Sequence, residues 1–266
     1  MQEVLALALQ SMQHDMQRLD RIGVNLANAL TPGYQREVVA ARPLGLGNAA
    51  FGALVGSPAM PQATAADAPS RTLAPSLLIQ TDLRPGSLKS TGQSLDVALA
   101  GPGFFEVVTP AGPAYTRQGN FRVDGQGRLV TAQGYPVMGR GGEIYLNDVQ
   151  PHIDAMGNIY AADARQVAGG RTDAQPLAQL KVVQSDEPAG LQHAGDGLMG
   201  GSGAFAMLPD ADIQIRQGFL ENSNVSSMQE MVQLVQTMRH FESMQKVALG
   251  YDEMTGQAIR KLGELS

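Results

Sequence analysis

The four histidines, His14, His152, His193 and His240, are the side chains whose ordinary titration falls nearest neutral pH, and they lie far apart in the sequence. None stands four residues from another, so there is no helical metal-binding pair, and a chain without cysteine lacks the thiolates of Cys-ligated zinc. His152 and Asp154 have the spacing that puts two side chains on one strand face, but no third partner completes a catalytic relay. Gly195, Gly197 and Gly200 match the G-x-G-x-x-G spacing of a dinucleotide-binding turn, which works only where a buried strand leads into it and a helix starts at the glycines. Gln192 and His193 precede these glycines, and Gly201, Ser202 and Gly203 follow where a helix would have to propagate, so the segment is expected to be a loop. There is no G-x-S-x-G elbow, phosphate-binding loop or EF-hand loop. The chemistry-bearing residues therefore imply no catalytic site, metal or cofactor. The rival, a β-rich enzyme, would need a concave site with convergent polar groups.

The strongest pattern lies in the elements at the two ends. Leu5, Leu9, Met12, Met16, Leu19, Ile22, Leu26 and Leu30 recur every three or four residues, which predicts one helix with one apolar stripe. It should stop near Thr31, because Pro32 disfavours helical geometry in the residue before it and Gly33 favours a turn before Tyr34. Met228, Met231, Leu234, Met238, Phe241, Met244, Val247, Tyr251, Met254, Ala258, Leu262 and Leu265 repeat the spacing at the other end. Asn224 or Ser226 could cap this second helix, and Ser227 with Glu230 has the capping-box spacing. Gly250 and Gly256 each weaken it locally by about 1 kcal/mol relative to Ala.

Between the helices, residues 43 to 76 are rich in Ala, Gly, Pro and Leu and show no lasting period, as in an irregular connector. From about Thr81 to Gln217, short runs of Val, Ile, Leu and Phe alternate with Gly, Pro, Asn and Asp, the pattern of many short strands. Two stretches echo each other, Val123 to Val130 and Ile153 to Tyr160, and both predict tight hairpins. In each, an Asp can accept backbone N–H bonds at the turn, and a Gly three residues later can take positive φ. The expected fold is α+β: a mostly-β middle domain over 81–217, an irregular connector over 35–80, and terminal helices over 1–34 and 218–266 pairing as a coiled-coil-like stem.

With 43% hydrophobic residues but 5% aromatics and no Trp, the 266-residue chain should fill its core with aliphatic side chains. A net charge of −6 with no basic cluster argues against nucleic acid as a partner. No run approaches the roughly 20 apolar residues that span a bilayer, and Glu3 stands where a cleavable signal peptide would be positive, so neither membrane insertion nor signal cleavage is expected. Helices of about 30 and 40 residues would run roughly 45 and 60 Å, farther than a compact β domain of this size can cover. Their stripes need partners, and the 13 methionines, many in those stripes, suit seams that adapt to slightly different neighbours. On this reasoning the protein is a self-assembling structural protein.

Specific motifs accompany the stripes. Asn25-Leu-Ala-Asn28-Ala-Leu30-Thr-Pro-Gly33-Tyr34 strongly resembles the N-terminal motif of bacterial flagellar rod and hook proteins. It departs from the usual pattern in having Val24 in place of a further Asn, and Leu30 where a polar residue is common. The resemblance continues through Leu95 to Ala98, Gly101 to Phe105, Tyr115 to Phe121, Leu129 to Thr131, Gly218 to Val225, and Arg239, Phe241 and Glu242. It implies a basal-body rod subunit, proximal or distal, with the Phe241, Glu242 ending leaning to the proximal type. The alternative is a hook protein or another exported axial scaffold.

The resemblance also implies export by the flagellar type III machinery, a place in the periplasmic shaft, and partners among copies of itself and other axial proteins of the rod and hook. The stripe residues Leu5, Leu9, Met12, Met16, Leu19, Ile22, Leu26, Leu30, Met231, Leu234, Met238, Phe241, Met244, Val247, Tyr251 and Met254 are the expected assembly interface, together with Asn25 and Asn28. For these two asparagines, bonds within the subunit or to a neighbour are both open.

Overall fold

The structure is a computed structural model and describes residues 2–41, 77–146, 151–161, 166–167, 171–172, 175–187, 190–201 and 203–263. A long helix stands at each end of a β-rich middle. The first, α1, runs Gln2–Ala27, and the last, α2, runs Ser227–Gly263. At 1.5 Å per residue they extend about 39 and 55 Å. α1 ends four residues before Thr31, the expected limit. Beyond Ala27 the backbone tightens into three-residue turns, Ala29 N donating to the Leu26 carbonyl and Thr31 N to that of Asn28. The Asn28 side chain braces them: its amide adds a second bond to the Val24 carbonyl at 2.9 Å and its oxygen accepts from the Thr31 hydroxyl. α2 starts as expected, with the Ser226 carbonyl accepting its first helical bond from Glu230 N. It is continuous through Gly250 and Gly256.

The middle is antiparallel wherever its strands pair. Its largest sheet has six strands in the order Leu191–Gly195, Leu198–Gly201, Gly112–Thr116, Phe104–Thr109, Val182–Ser185 and Phe205–Met207. Leu99, Phe105, Val107, Leu129, Ile144, Ile159, Leu180 and Ile215 are all almost fully buried in one aliphatic core, with Phe105 and Phe121 meeting edge-on at 5.3 Å.

Both echoed segments are tight hairpins. Val123 pairs with Leu129 and Ile153 with Ile159. Asp124 Oδ1 accepts from the N–H groups of Gln126 and Arg128, and Asp154 Oδ1 accepts from Met156 and Asn158 in the same way. Gly127 and Gly157 take φ of +80° and +83°. The G-x-G-x-x-G segment, expected as a loop, is instead the turn and second strand of the Leu191–Gly195 and Leu198–Gly201 hairpin. Its glycines supply the left-handed conformations of a short turn, with Gly195 at +92° and Gly197 at +71°.

Distant parts of the chain close the body. Leu88–Ser90 pairs with Phe219–Glu221, and Val97–Leu99 with Ile215–Gln217. A further pair joins Glu37–Ala41 to Leu77–Thr81, so both ends of the stretch expected as a connector are strands. Residues 43–76 lie outside the described residues, apart from which α1 also packs along α2.

Candidate assembly site

Where the helices enter the body, four of the sequence motifs meet. Arg117, 4% exposed, lies 2.7 Å through Nε from Glu221 Oε2, which is 1% exposed. Its remaining N–H groups donate to the carbonyls of Gly103, Gly101 and Leu99. The planar guanidinium fork can satisfy a carboxylate and several carbonyls at once, as an ammonium could not. Glu221 in turn accepts from Gly86 N at 2.8 Å through Oε1, and its backbone carbonyl accepts from Gly33 N at 2.7 Å. Gly33 has φ of +65°, and a Cβ there would stand 2.5 Å from the Arg117 backbone. Both conditions demand glycine.

Asn25 anchors the base of α1. It is 1% exposed; its amide donates to the Glu37 carbonyl at 2.8 Å, and its oxygen accepts from Glu37 N at 2.9 Å and the Tyr34 hydroxyl at 3.2 Å. Its bonds are thus made within the subunit, as are those of Asn28. The base of α2 is held by Arg36, whose Nε lies 2.5 Å from Glu230 Oε1 and whose backbone N–H donates to Asn224. Asn224, a candidate cap, is instead a cross-brace, donating to the carbonyls of Asp82 and Arg84. Arg21 bridges to Glu37 at 2.8 Å.

His193 stacks on Tyr34 with ring centroids 5.0 Å apart, and its Nε2 lies 2.8 Å from the Gln35 carbonyl oxygen, a contact that requires the proton on Nε2. Burial holds this imidazole below its ordinary pKa, against the opposing pull of Glu37. Burial likewise pushes the Tyr34 phenol well above its ordinary range. A cleft of about 360 Å³ beside His193 is lined by Arg21, Glu37, Ile79, Thr81, Leu191 and Gln192. Its two charged groups are already paired with each other. Asp154, the sequence neighbour of His152, uses its oxygens on its own turn, and the His152 ring lies stacked near Tyr160. No cluster of three or more His, Asp or Glu able to hold a metal occurs among the described residues.

Beyond the junction the stem changes character. Asp15 on α1 meets His240 on α2 at 2.6 Å, while Ile22 and Asn25 share a cavity lining with Glu230 and Gln233, so the helices run antiparallel. Of the expected interface residues, Ile22 and Asn25 are buried inside the subunit. Met12, Leu19, Leu26, Asn28, Leu234, Phe241, Met244 and Tyr251 are half-buried. Leu5, Leu9, Met16, Leu30, Met231, Met238, Val247 and Met254 are exposed, Leu30 at 95%. Three exposed apolar residues of the same α2 surface, Met228, Val232 and Val235, fall outside the expected set. The signal for them lies in the spacing: Met228 heads the apolar stripe, and Val232 and Val235 follow it at steps of four and three.

Two long helices rooted in a β body by buried ion pairs, with apolar faces left open, are the build of a structural subunit. Residues 98–161 match the flagellar hook protein FlgE/F/G D1 domain, and residues 216–261 the flagellar basal body rod FlgEFG protein C-terminal region. The basal-body rod protein FlgG of Bacillus subtilis is 31% identical, over 94% of this chain and 96% of its own. FlgF of Salmonella typhimurium is 32% identical over 90% and 89%, and FlgF of Rhizobium meliloti 34% over 68% and 72%. The chain belongs to the flagellar basal-body rod protein family. It is a structural component of the flagellar basal body and not an enzyme. No described helix is long and apolar enough to cross a membrane.

Proposed function

We propose that this subunit builds the shaft between motor and hook by self-assembly through its terminal helices, and that torque passes through their side-by-side contacts. The supporting observation is that each helix is rooted in the body by ion pairs and hydrogen bonds within the subunit while presenting apolar surface that nothing in the subunit covers. In this reading the helices act as a coiled-coil-like stem: α1 buries Ala8, Asp15 and Ile22, one heptad apart, towards α2. The functional units are the stem segments 1–34 and 218–266, the connector 35–80 and the body 81–217. The exposed and half-buried stripe residues carry the contacts to copies of this chain and to other axial proteins of the rod and hook. Asn25 and Ile22 contribute indirectly, by fixing the angle at which α1 leaves the body. The protein reaches the periplasm through the flagellar export machinery, without cleavage of a signal peptide.

Deleting each helix tip separately tests this. Loss of export, assembly and motility together, with the body still folded, is expected; assembly that survives without either tip would overturn the reading.

A further inference from the structure

The outer surface of α2 carries an apolar patch over its first three turns. Met228 is 78% exposed, and Met231, Val232, Val235 and Met238 are each about half exposed. At about 100° per residue these five fall within an arc of about 120°, and the buried or half-buried Glu230, Leu234, Thr237, Phe241, Met244 and Ala248 face the other way, about 140° around the helix. The root patch therefore lies on the side away from α1. Contiguous exposed apolar surface larger than about a few hundred Å² marks an interaction site, where singly scattered residues would not. A second patch, Leu5, Leu9 and Met16, lies along α1, beside the face that meets α2. Because the helices are antiparallel, its centre is about 20 Å farther from the body, at 1.5 Å per residue.

The geometry points to a second copy of this chain as the occupant, seated so that the α2 root patch of one copy covers the α1 patch of the next. A two-fold pairing of root patch on root patch would leave Leu5, Leu9 and Met16 bare in both copies. The offset pairing covers both patches on every copy except at the ends of the array, and a contact between two different surfaces at different heights propagates without closing. This inference rests on the self-assembly proposed above and adds which surface meets which.

The chain has no cysteine, so Val235→Cys and Leu9→Cys each introduce a single thiol. The two full-length variants are mixed, concentrated until they assemble, and treated with a short bis-maleimide linker. Covalent dimers between unlike variants are expected, with each variant alone giving at least about tenfold fewer. Dimers of Val235→Cys with itself at the mixed level, or sedimenting assemblies with no cross-link between the two positions, would overturn the offset contact while leaving self-assembly intact. Soluble monomer at every concentration would instead overturn self-assembly itself. As a second arm, Met231→Asp should weaken assembly about tenfold or more with an unchanged unfolding midpoint, and a partner copy carrying Leu9→Lys should restore it. Undiminished assembly by Met231→Asp, or no recovery with Leu9→Lys, counts against the pairing.

Discussion

The root and the tip of the stem belong to the same two helices, yet they satisfy their side chains in different ways. At the root, Ile22, Asn25, Glu230 and Thr237 are buried, with Asn25 bonded to Glu37 and Glu230 to Arg36. Towards the tip, Leu7, Leu9, Leu249 and Met254 are each half exposed or more, and Asp15 with His240 is the last cross-helix ion pair among the described residues. A helix stripe that packs on nothing contributes little, and ordering it costs conformational entropy. The root is therefore stable within one subunit, whereas the tip depends on neighbours. Amide exchange on a verified monomer should show protection falling off beyond Asp15 and His240. Full protection of residues 5–12 and 244–260 would erase the distinction.

Four substitutions sharpen this contrast. The largest effect is expected for Arg117→Ala, which strands the Glu221 carboxylate and leaves three carbonyls without their donor. Removing one partner of a buried pair costs roughly 3–5 kcal/mol, so denaturant unfolding should show a large drop in stability with both helix roots loosened. Gly33→Ala comes next. The strain of positive φ and the contact with the Arg117 backbone should cost at least about 2 kcal/mol, and a crystal structure of the variant should show the Thr31 to Tyr34 turn displaced.

His193 supplies a pH signature. Its folded pKa lies below the unfolded value of about 6.5, so between the two only the unfolded chain holds the extra proton. Stability is whole above about pH 6.5 and declines as pH falls through the window beneath it, by at most about 1.4 kcal/mol per pH unit. His193→Gln should flatten that part of the profile in thermal melts. The smallest effect on the subunit is expected at the tip. Leu9→Ser should change monomer stability by no more than about 0.5 kcal/mol, while sedimentation shows assembly reduced. A large loss of monomer stability there would mean that the tip is not waiting for a neighbour.

Much of this was legible in the sequence because it is local. The spacing of Leu5, Leu9 and Met12 specifies a helix by its period alone, and the Asp124-to-Gly127 and Asp154-to-Gly157 spacings specify their turns through bonds that span only a few residues. α1 ends at Ala27, short of Thr31, because the backbone beyond it tightens into three-residue turns braced by Asn28, and such turns leave no mark on the apolar period. The glycines from Gly195 to Gly200 show the limit of composition: the same residues serve a loop or a hairpin turn, and only their strand partners decide which.

The sequence by itself determined that both ends are apolar-striped helices, that the middle is β with an aliphatic core, and which family the motifs resemble. Only the tertiary structure decided that Arg117, Glu221, Gly33 and Glu230 converge, since contacts across a hundred residues or more follow from strand pairing at the closure of the body. It also divided each stripe into a buried and an open side. A helix of period 3.6 presents apolar residues in the same rhythm on either face, and only the position of the other helix determines which face water still reaches.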